Sequence, residues 1–255
     1  MILTDTHTHL YASQFDEDRV EAIEKAIEIG VSRFFIPAID SKTTDSMFSL
    51  EKQFPNNIFL MMGLHPTSVK ENYKEELMHV KKHLDKRNFY AIGEIGMDLF
   101  WDKTFVKEQQ EAFKIQISWA KEKNLPIIIH CRDAFDEVFE VLEEENDDKL
   151  FGIFHCFTGS LEQAKKAISY NMKLGIGGVV TFKNGKIDKF LNQIPLKNIV
   201  LETDSPYLAP TPYRGKRNES AYLVNVAKKL ADIYEVSVEE IAKSTTDNSI
   251  EVFGV

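Results

Sequence analysis

The chain has 255 residues, 43% of them apolar and 28% charged, and a formal net charge of −9. This composition excludes a disordered or fibrous chain, and the longest apolar runs are strand-sized, too short to cross a bilayer. The acidic balance disfavours a protein that coats duplex DNA through Lys and Arg contacts to phosphate.

Eight short apolar, β-branched or aromatic runs predict strands near 2–6, 33–38, 58–62, 90–94, 126–130, 151–155, 173–177 and 198–202. Helical patterns lie between them. Within 16–29, Val20, Ile23 and Ile27 recur at helical spacing, and within 105–123 Phe113, Ile117 and Ala120 do the same. Ser160 with Gln163 and Ser237 with Glu240 have capping-box spacing and mark helix starts. Lys123–Asn124–Leu125–Pro126 stops one helix and launches the next strand.

Strand–helix alternation repeated eight times predicts a parallel sheet with covered faces, most simply an α/β fold of the closed (β/α)8 TIM-barrel type. An open doubly wound sheet is the alternative, but its glycine-rich loop after an early strand is missing. Gly175–Ile176–Gly177–Gly178 follows the seventh strand and reads as a tight barrel corner. No linker, repeat or low-complexity tract divides the chain, so residues 1–255 are expected to form a single domain. Only Cys131 and Cys156 are present, which provides no disulfide framework and predicts a reducing, cytoplasmic setting. No basic segment followed by a long apolar stretch is visible near residue 1, so no secretory signal is expected.

Five of the strand-like runs end in residues that bind metals: His7 and His9, Glu94, His130, His155, and Asp204. Parallel α/β folds gather their ligand sites at the carboxyl ends of strands. Taken singly, each residue has an ordinary reading, as a surface or hydrogen-bonded core histidine or as a salt-bridged carboxylate. Jointly they do not, because one carboxylate and four imidazoles clustered in an interior without an ion carry a large desolvation cost. Six ligands exceed one tetrahedral zinc and suit two ions with open water positions. The expected grouping puts His7, His9 and Asp204 on one ion and His130 and His155 on the other, with Glu94 bridging. Mixed imidazole and carboxylate ligands permit Zn²⁺ or Mn²⁺, and Mg²⁺ less comfortably.

Other residues are weighed against plainer roles. Cys131 and Cys156 follow ligand histidines directly, so strand alternation turns their thiols toward the helices, buried and inert. His79 and His83 sit in a charged run and read as a solvated helix face. Asp5 is expected to orient a neighbouring ligand histidine. His65, in Gly63–Leu64–His65–Pro66, falls at the barrel mouth, where it contacts a phosphoryl oxygen or faces water. The cluster Tyr213–Arg214–Gly215–Lys216–Arg217–Asn218 lies close in sequence to Asp204 and suggests an anionic substrate, against a solvated-loop reading. Arg132 turns either to the site or to Asp133.

These residues together resemble the TatD family of metal-dependent deoxyribonucleases, a branch of the amidohydrolase-like barrels, over essentially the whole chain. The resemblance runs through Asp5–Thr6–His7–Thr8–His9–Leu10, Gly63–Leu64–His65–Pro66, Gly93–Glu94–Ile95–Gly96–Met97–Asp98 and Gln109–Gln110–Glu111–Ala112–Phe113. It continues in Leu125–Pro126–Ile127–Ile128–Ile129–His130, His155–Cys156–Phe157–Thr158–Gly159–Ser160 and Glu202–Thr203–Asp204–Ser205–Pro206–Tyr207–Leu208. Arg214–Gly215–Lys216–Arg217–Asn218 and Thr245–Thr246–Asp247–Asn248 close the set. The resemblance implies a (β/α)8 barrel with two divalent ions, gives ligand roles to the same six positions, and implies hydrolysis of DNA phosphodiesters, often from the 3′ end. Leu99–Phe100 stands where family members often carry tyrosine, and Cys131 where serine is common.

The expected mechanism uses a water activated by two metals. Asp204 serves as general base, Glu94 as bridge, and His65, Arg132 and Arg214 as substrate contacts. The expected partner is DNA, as ends or single strands, with no membrane and no obligatory protein partner. An amidohydrolase-type esterase such as an aminoacyl-tRNA deacylase uses the same site with a different bond, and a non-enzymatic metal-bound scaffold is the third reading.

Overall fold

Parallel pairing between consecutive strands organises the computed structural model, which describes residues 1–255. The strands are β1 (Leu3–Asp5), β2 (Val31–Pro37), β3 (Ile58–Met61), β4 (Ile92–Asp98), β5 (Ile127–Arg132), β6 (Gly152–Phe154), β7 (Met172–Ile176) and β8 (Ile199–Leu201). They pair as β1-β2-β3 and β4-β5-β6-β7-β8, all parallel. Two seams close these sheets into a (β/α)8 barrel. Between β3 and β4, Tyr90 N–H donates to the Leu60 carbonyl and Met62 N–H to that of Ala91. Between β8 and β1, the Thr6 amide and hydroxyl both donate to the Leu201 carbonyl.

The helices are α1 (Arg19–Glu28), α2 (Thr44–Gln53), α3 (Tyr73–Lys86), α4 (Val106–Lys123), α5 (Phe135–Glu144), α6 (Leu161–Ser169), α7 (Leu223–Tyr234) and α8 (Val238–Phe253). Helix α6 starts with the full reciprocal capping box of Ser160 and Gln163, and Ser237 caps α8 through the Glu240 amide. Helix α4 buries Phe113, Ile117 and Ala120, as its periodicity predicts. It ends at Asn124 in the left-handed conformation (φ 51°), ahead of Pro126. In α1 the buried stripe is Ala22, Ile23 and Ala26, while Val20 is exposed and Ile27 packs only partly buried at the core's margin.

Strict alternation fails after β7. Short 3₁₀ turns fill the connection to β8, and both remaining helices follow β8. The glycines at 175–178 therefore divide between the end of β7 and the first of these turns. Strands β4 and β5 run on to Asp98 and Arg132, beyond their expected ends, which places Glu94 inside a strand. Between Ile92 and Ile95 the pairing with β5 gains one residue, a bulge that re-aims the Gly93–Glu94 segment.

Strand alternation splits the core in two. One set, including Phe34, Ile36, Ile127, Ile129 and Leu201, packs under the helices. The other set, with Phe35, Met61, Ile128, Ile153 and Val200, fills the barrel interior together with Phe253 from the end of α8. Phe253 stacks on Phe35 with ring centroids 3.7 Å apart and closes one end of the barrel. His130 follows Ile128 by two residues and His155 follows Ile153 by two, so the inward face continues from the apolar plug into the site.

Candidate active site

All six expected ligand residues converge at the carboxyl ends of the strands. His7 and His9 lie just beyond β1, on backbone pinned by the Thr8 amide to the Phe35 carbonyl and the His9 amide to that of Ser205. Asp204 follows β8 in the left-handed region (φ 56°), a conformation aspartate tolerates better than most residues. Its amide donates to the His7 carbonyl at 2.9 Å, so the segments after β1 and β8 hold each other in place.

Glu94 is at the centre, and its two oxygens face different partners. Oε2 lies 3.1 Å from His7 Nε2 and 3.8 Å from His9 Nε2. Oε1 lies 2.9 Å from His130 Nδ1, 3.4 Å from His155 Nε2 and 3.4 Å from His65 Nε2. Asp204 Oδ1 is 3.3 Å from His9 Nε2 and 3.9 Å from His7 Nε2, and the two Nε2 atoms are 3.3 Å apart. Donors around a tetrahedral ion with bonds of about 2.1 Å stand roughly 3.4 Å from one another, so this spacing fits a divalent cation. The rings of His7 and His155 stack with centroids 3.6 Å apart, so both donor sets share one chamber.

The electrostatics favour a deprotonated carboxylate. Burial opposes ionisation of Glu94, but His65, His7, His155 and the hydrogen bond from His130 hold its carboxyl well below the usual range. Burial pushes the His7 and His65 imidazoles down, toward the neutral form. Burial also works against a charged His155, yet Glu202 and Glu94 raise it to about 10. For Asp204, burial is outweighed by His9 and His155, and its carboxyl is lowered.

Neighbouring groups orient the imidazoles. Asp98 Oδ2 sits 2.8 Å from His130 Nε2, with the ring's other nitrogen on Glu94. Glu202 Oε1 lies 3.0 Å from His155 Nδ1 and accepts from the Cys156 amide at 2.5 Å. The Tyr11 hydroxyl lies 3.0 Å from His9 Nδ1. Hydrogen-bonded partners such as Asp98 and Tyr11 fix the ring orientation of metal-binding histidines, while Glu202 acts on His155 chiefly by its charge. Sequence reasoning gave Asp98, Glu202 and Tyr11 no such roles. For Glu202 the signal was present, because it follows the interior-facing Val200 by two residues. Two buried glutamines of α4 brace the loops. Gln109 pairs with both the amide and the carbonyl of Asp98, and Gln116 does the same for Leu64, next to His65.

His65 reaches the cluster as a hydrogen-bond donor. Its Nδ1 accepts from the Thr67 amide at 3.1 Å, which puts the proton of the neutral ring on Nε2, facing Glu94. Arg132 lines the same cavity, of about 720 Å³, together with His65, Glu94, His130, His155 and Asp204. Arg214 is not brought there. Its guanidinium stacks 3.6 Å from the Phe182 ring and donates to the Ala209 carbonyl. In the same basic run, Arg217 pairs with Asp18, and buried Asn218 donates to the Thr203 and Tyr207 carbonyls, anchoring the loop after β8.

Asp5 orients no histidine. It accepts from the amide and hydroxyl of Thr203 and from Ser220, tying β1 to the segment after β8, and burial pushes its carboxyl up to about 7. Cys131 packs against the outer core but is half-buried, and Cys156 lies past the end of β6 with φ 45°, where strand alternation no longer applies. Burial pushes both thiols up, which makes them poor nucleophiles. His79 and His83 are half-buried against α2. His79 Nε2 bonds Thr44 Oγ1 at 2.9 Å, and the His83 ring packs edge-on against Phe48. No helix is long and apolar enough to cross a membrane.

Known proteins match this chain along its whole length. The family model described as TatD related DNase matches residues 4–254. The uncharacterized metal-dependent hydrolase YabD of Bacillus subtilis (strain 168) is 41% identical, with 100% of both chains covered. The corresponding hydrolase YcfH of Escherichia coli (strain K12) is 32% identical over 100% of this chain and 97% of its own. The crystal structure of YjjV, a TatD homologue from Escherichia coli K12, superposes with a TM-score of 0.93 at 28% identity, covering 99% of this chain and 98% of that one. The chain is therefore a metal-dependent hydrolase that belongs to the TatD-related DNase family.

Proposed function

We propose that residues 1–255 act as one domain that hydrolyses phosphodiester bonds of DNA, removing nucleotides from 3′ ends or short single strands, in a reducing cytoplasmic setting. The observation that carries this reading is the division of Glu94: one carboxylate oxygen faces His7 and His9, the other faces His130 and His155. Glu94 would hold a pair of divalent ions together with His7, His9 and Asp204 on one side and His130 and His155 on the other. Zn²⁺ and Mn²⁺ suit this mixture of imidazole and carboxylate better than Mg²⁺. When bound, such a pair lowers the pKa of a water and neutralises charge on phosphoryl oxygens.

The protein's own groups do the rest. Asp204 keeps a lowered carboxyl pKa and is half-buried at the cavity, so it can accept the proton of the attacking water. His65 presents Nε2–H to the cluster and can donate to a non-bridging phosphoryl oxygen as negative charge develops. Arg132 adds a cation at the cavity wall. Arg214, turned onto Phe182, is left out of this set.

The test removes bound metal, restores Zn²⁺, Mn²⁺ or Mg²⁺ separately, and follows end-labelled single- and double-stranded DNA. Release of nucleotides from the labelled strand supports the reading. Release of an acyl group from aminoacyl-tRNA, with every DNA left intact, would replace it with the esterase. The carrying observation is checked by Glu94→Gln, which should cut the bound metal from two ions to at most one and abolish turnover.

A further inference from the structure

Phe100 and Trp101 follow β4 and are 50% and 69% exposed. Exposed aromatics scattered singly are ordinary, but these two touch, with ring centroids 4.9 Å apart at 89°. Arg132, at the end of the adjacent strand β5, places its guanidinium carbon 3.8 Å from the Phe100 centroid and 5.2 Å from that of Trp101. That guanidinium pairs with no carboxylate and donates no hydrogen bond within the chain: Asp98, its register partner on β4, is taken by His130 instead, although the chain carries nine excess negative charges. An uncompensated planar cation stacked on solvent-facing rings is therefore a prepared surface for a planar or anionic group.

The position of this surface gives it a use. Trp101 and Arg132 line the cavity of about 720 Å³ that holds the imidazole–carboxylate cluster. Phe100 and Arg132 line a second cavity of about 780 Å³, walled by Thr158, Ser160, Lys186 and Phe190. Each lies in the range of about 300–1,000 Å³ that accommodates a small-molecule ligand. The aromatic–arginine ridge is the wall the two cavities share. It exposes ring faces for a base and a guanidinium for a phosphate, and Lys186 continues the positive charge beyond it.

We propose that Phe100, Trp101 and Arg132 form a base-stacking ridge between two nucleotide subsites, so that the protein grips two consecutive nucleotides of a single strand. One nucleotide presents its phosphate to the cluster, and the next lies in the second cavity. A duplex keeps its bases stacked on one another and cannot offer a free ring face to the ridge. Single-stranded DNA is thus the preferred form. The subsites rest on the phosphodiesterase reading above, but the ridge can be tested by binding alone.

Stacking of one base on an aromatic side chain changes affinity by about five- to 150-fold. Trp101→Ala should therefore weaken binding of a fluorescein-labelled oligothymidylate, followed by anisotropy in the metal-loaded protein, by about ten- to 100-fold. Trp101→Phe should keep most of the affinity, and Arg132→Lys, which keeps charge but loses the plane, should not. Trp101 is exposed, so its replacement leaves the core intact. The decisive measurement moves an abasic nucleotide through the terminal positions of the strand. At one position the missing base should cost the wild-type protein the same factor that Trp101→Ala costs, and should cost the variant nothing more. Equal binding by wild type and Trp101→Ala, or an undiminished abasic penalty in the variant, overturns the ridge. If the strand binds through Trp101 but stays uncut whichever metal is supplied, the ridge stands and the phosphodiesterase reading falls. If the strand is cut equally well by the variant, the reverse holds, and no binding with no cutting rejects both.

Discussion

The Tyr11 hydroxyl lies 3.0 Å from His9 Nδ1 and spends its own proton on the Pro37 carbonyl at 3.1 Å. It can therefore only accept from the imidazole, which places the ring proton on Nδ1 and leaves a lone pair on Nε2, the atom that faces Glu94 and Asp204. Tyr11→Phe removes this constraint while keeping the ring. Metal affinity, measured by chelator competition, should fall about ten- to 100-fold, with little change in thermal stability. An unchanged affinity would mean that His9 is oriented by other contacts.

The convergence of the six expected residues was legible in the sequence because strand alternation fixes direction. His130 and His155 each follow an interior isoleucine by two residues, and a parallel barrel leaves such positions one place to point. The same rule applied to Val200 reaches Glu202, whose role shows only once the His155 ring is seen beside it. Alternation gives no direction to Arg214, which lies in a loop, and it does not tell which partners take Asp5 at the end of β1, where Thr203 and Ser220 hold the carboxylate in place of a histidine. Arg214 is ten residues past Asp204, yet Asn218 ties the loop to the Thr203 and Tyr207 carbonyls and the guanidinium falls on Phe182. The missing helix between β7 and β8 is a similar case. The segment has apolar residues, Ile187, Leu191 and Ile194 among them, but they are buried by short turns rather than by a continuous helix.

Replacing His65 should separate catalysis from metal binding. Its Nδ1 is committed to the Thr67 amide, so its Nε2 carries a proton and is not a free ligand. His65→Ala should lower kcat for DNA hydrolysis by about 10²–10³-fold, the usual loss on removing one donor to a developing oxyanion. Metal content by elemental analysis should stay at the wild-type value. Loss of an ion from this variant would reassign His65 as a ligand.

Metal uptake should be linked to protons. With His155 raised to about 10 by Glu202 and Glu94 against the opposing effect of burial, the metal-free site holds a charged imidazole at neutral pH. That charge favours the metal-free fold fully below the ordinary histidine value of about 6.5. The contribution is lost as pH rises through about 10. A cation must displace this proton, so affinity should climb with pH across that window, by up to about tenfold per unit for one proton released. Calorimetry in two buffers of different ionisation enthalpy reads the proton count directly. Glu202→Gln should reduce the release at pH 8, and an equal release from both proteins would show that Glu202 does not set the charge on His155.

Gly175, near the end of β7, shows how closely the backbone must approach this carboxylate. A Cβ there would stand 2.2 Å from Glu202 Oε2 and 2.8 Å from its carboxyl carbon. Glu202 cannot simply swing aside, since it is fully buried and already holds the Cys156 amide and faces His155. Gly175→Ala must therefore push the strand outward or break those contacts, an overpacking cost of about 1–3 kcal/mol. For a chain of this size each kcal/mol lowers the melting temperature by roughly 2–4 °C. Thermal melts of the metal-free protein should show that fall, and chelator competition should show weaker metal binding. Loss of stability without loss of affinity would mean that the strand yields and Glu202 stays, which would leave Gly175 a packing residue with no part in holding His155.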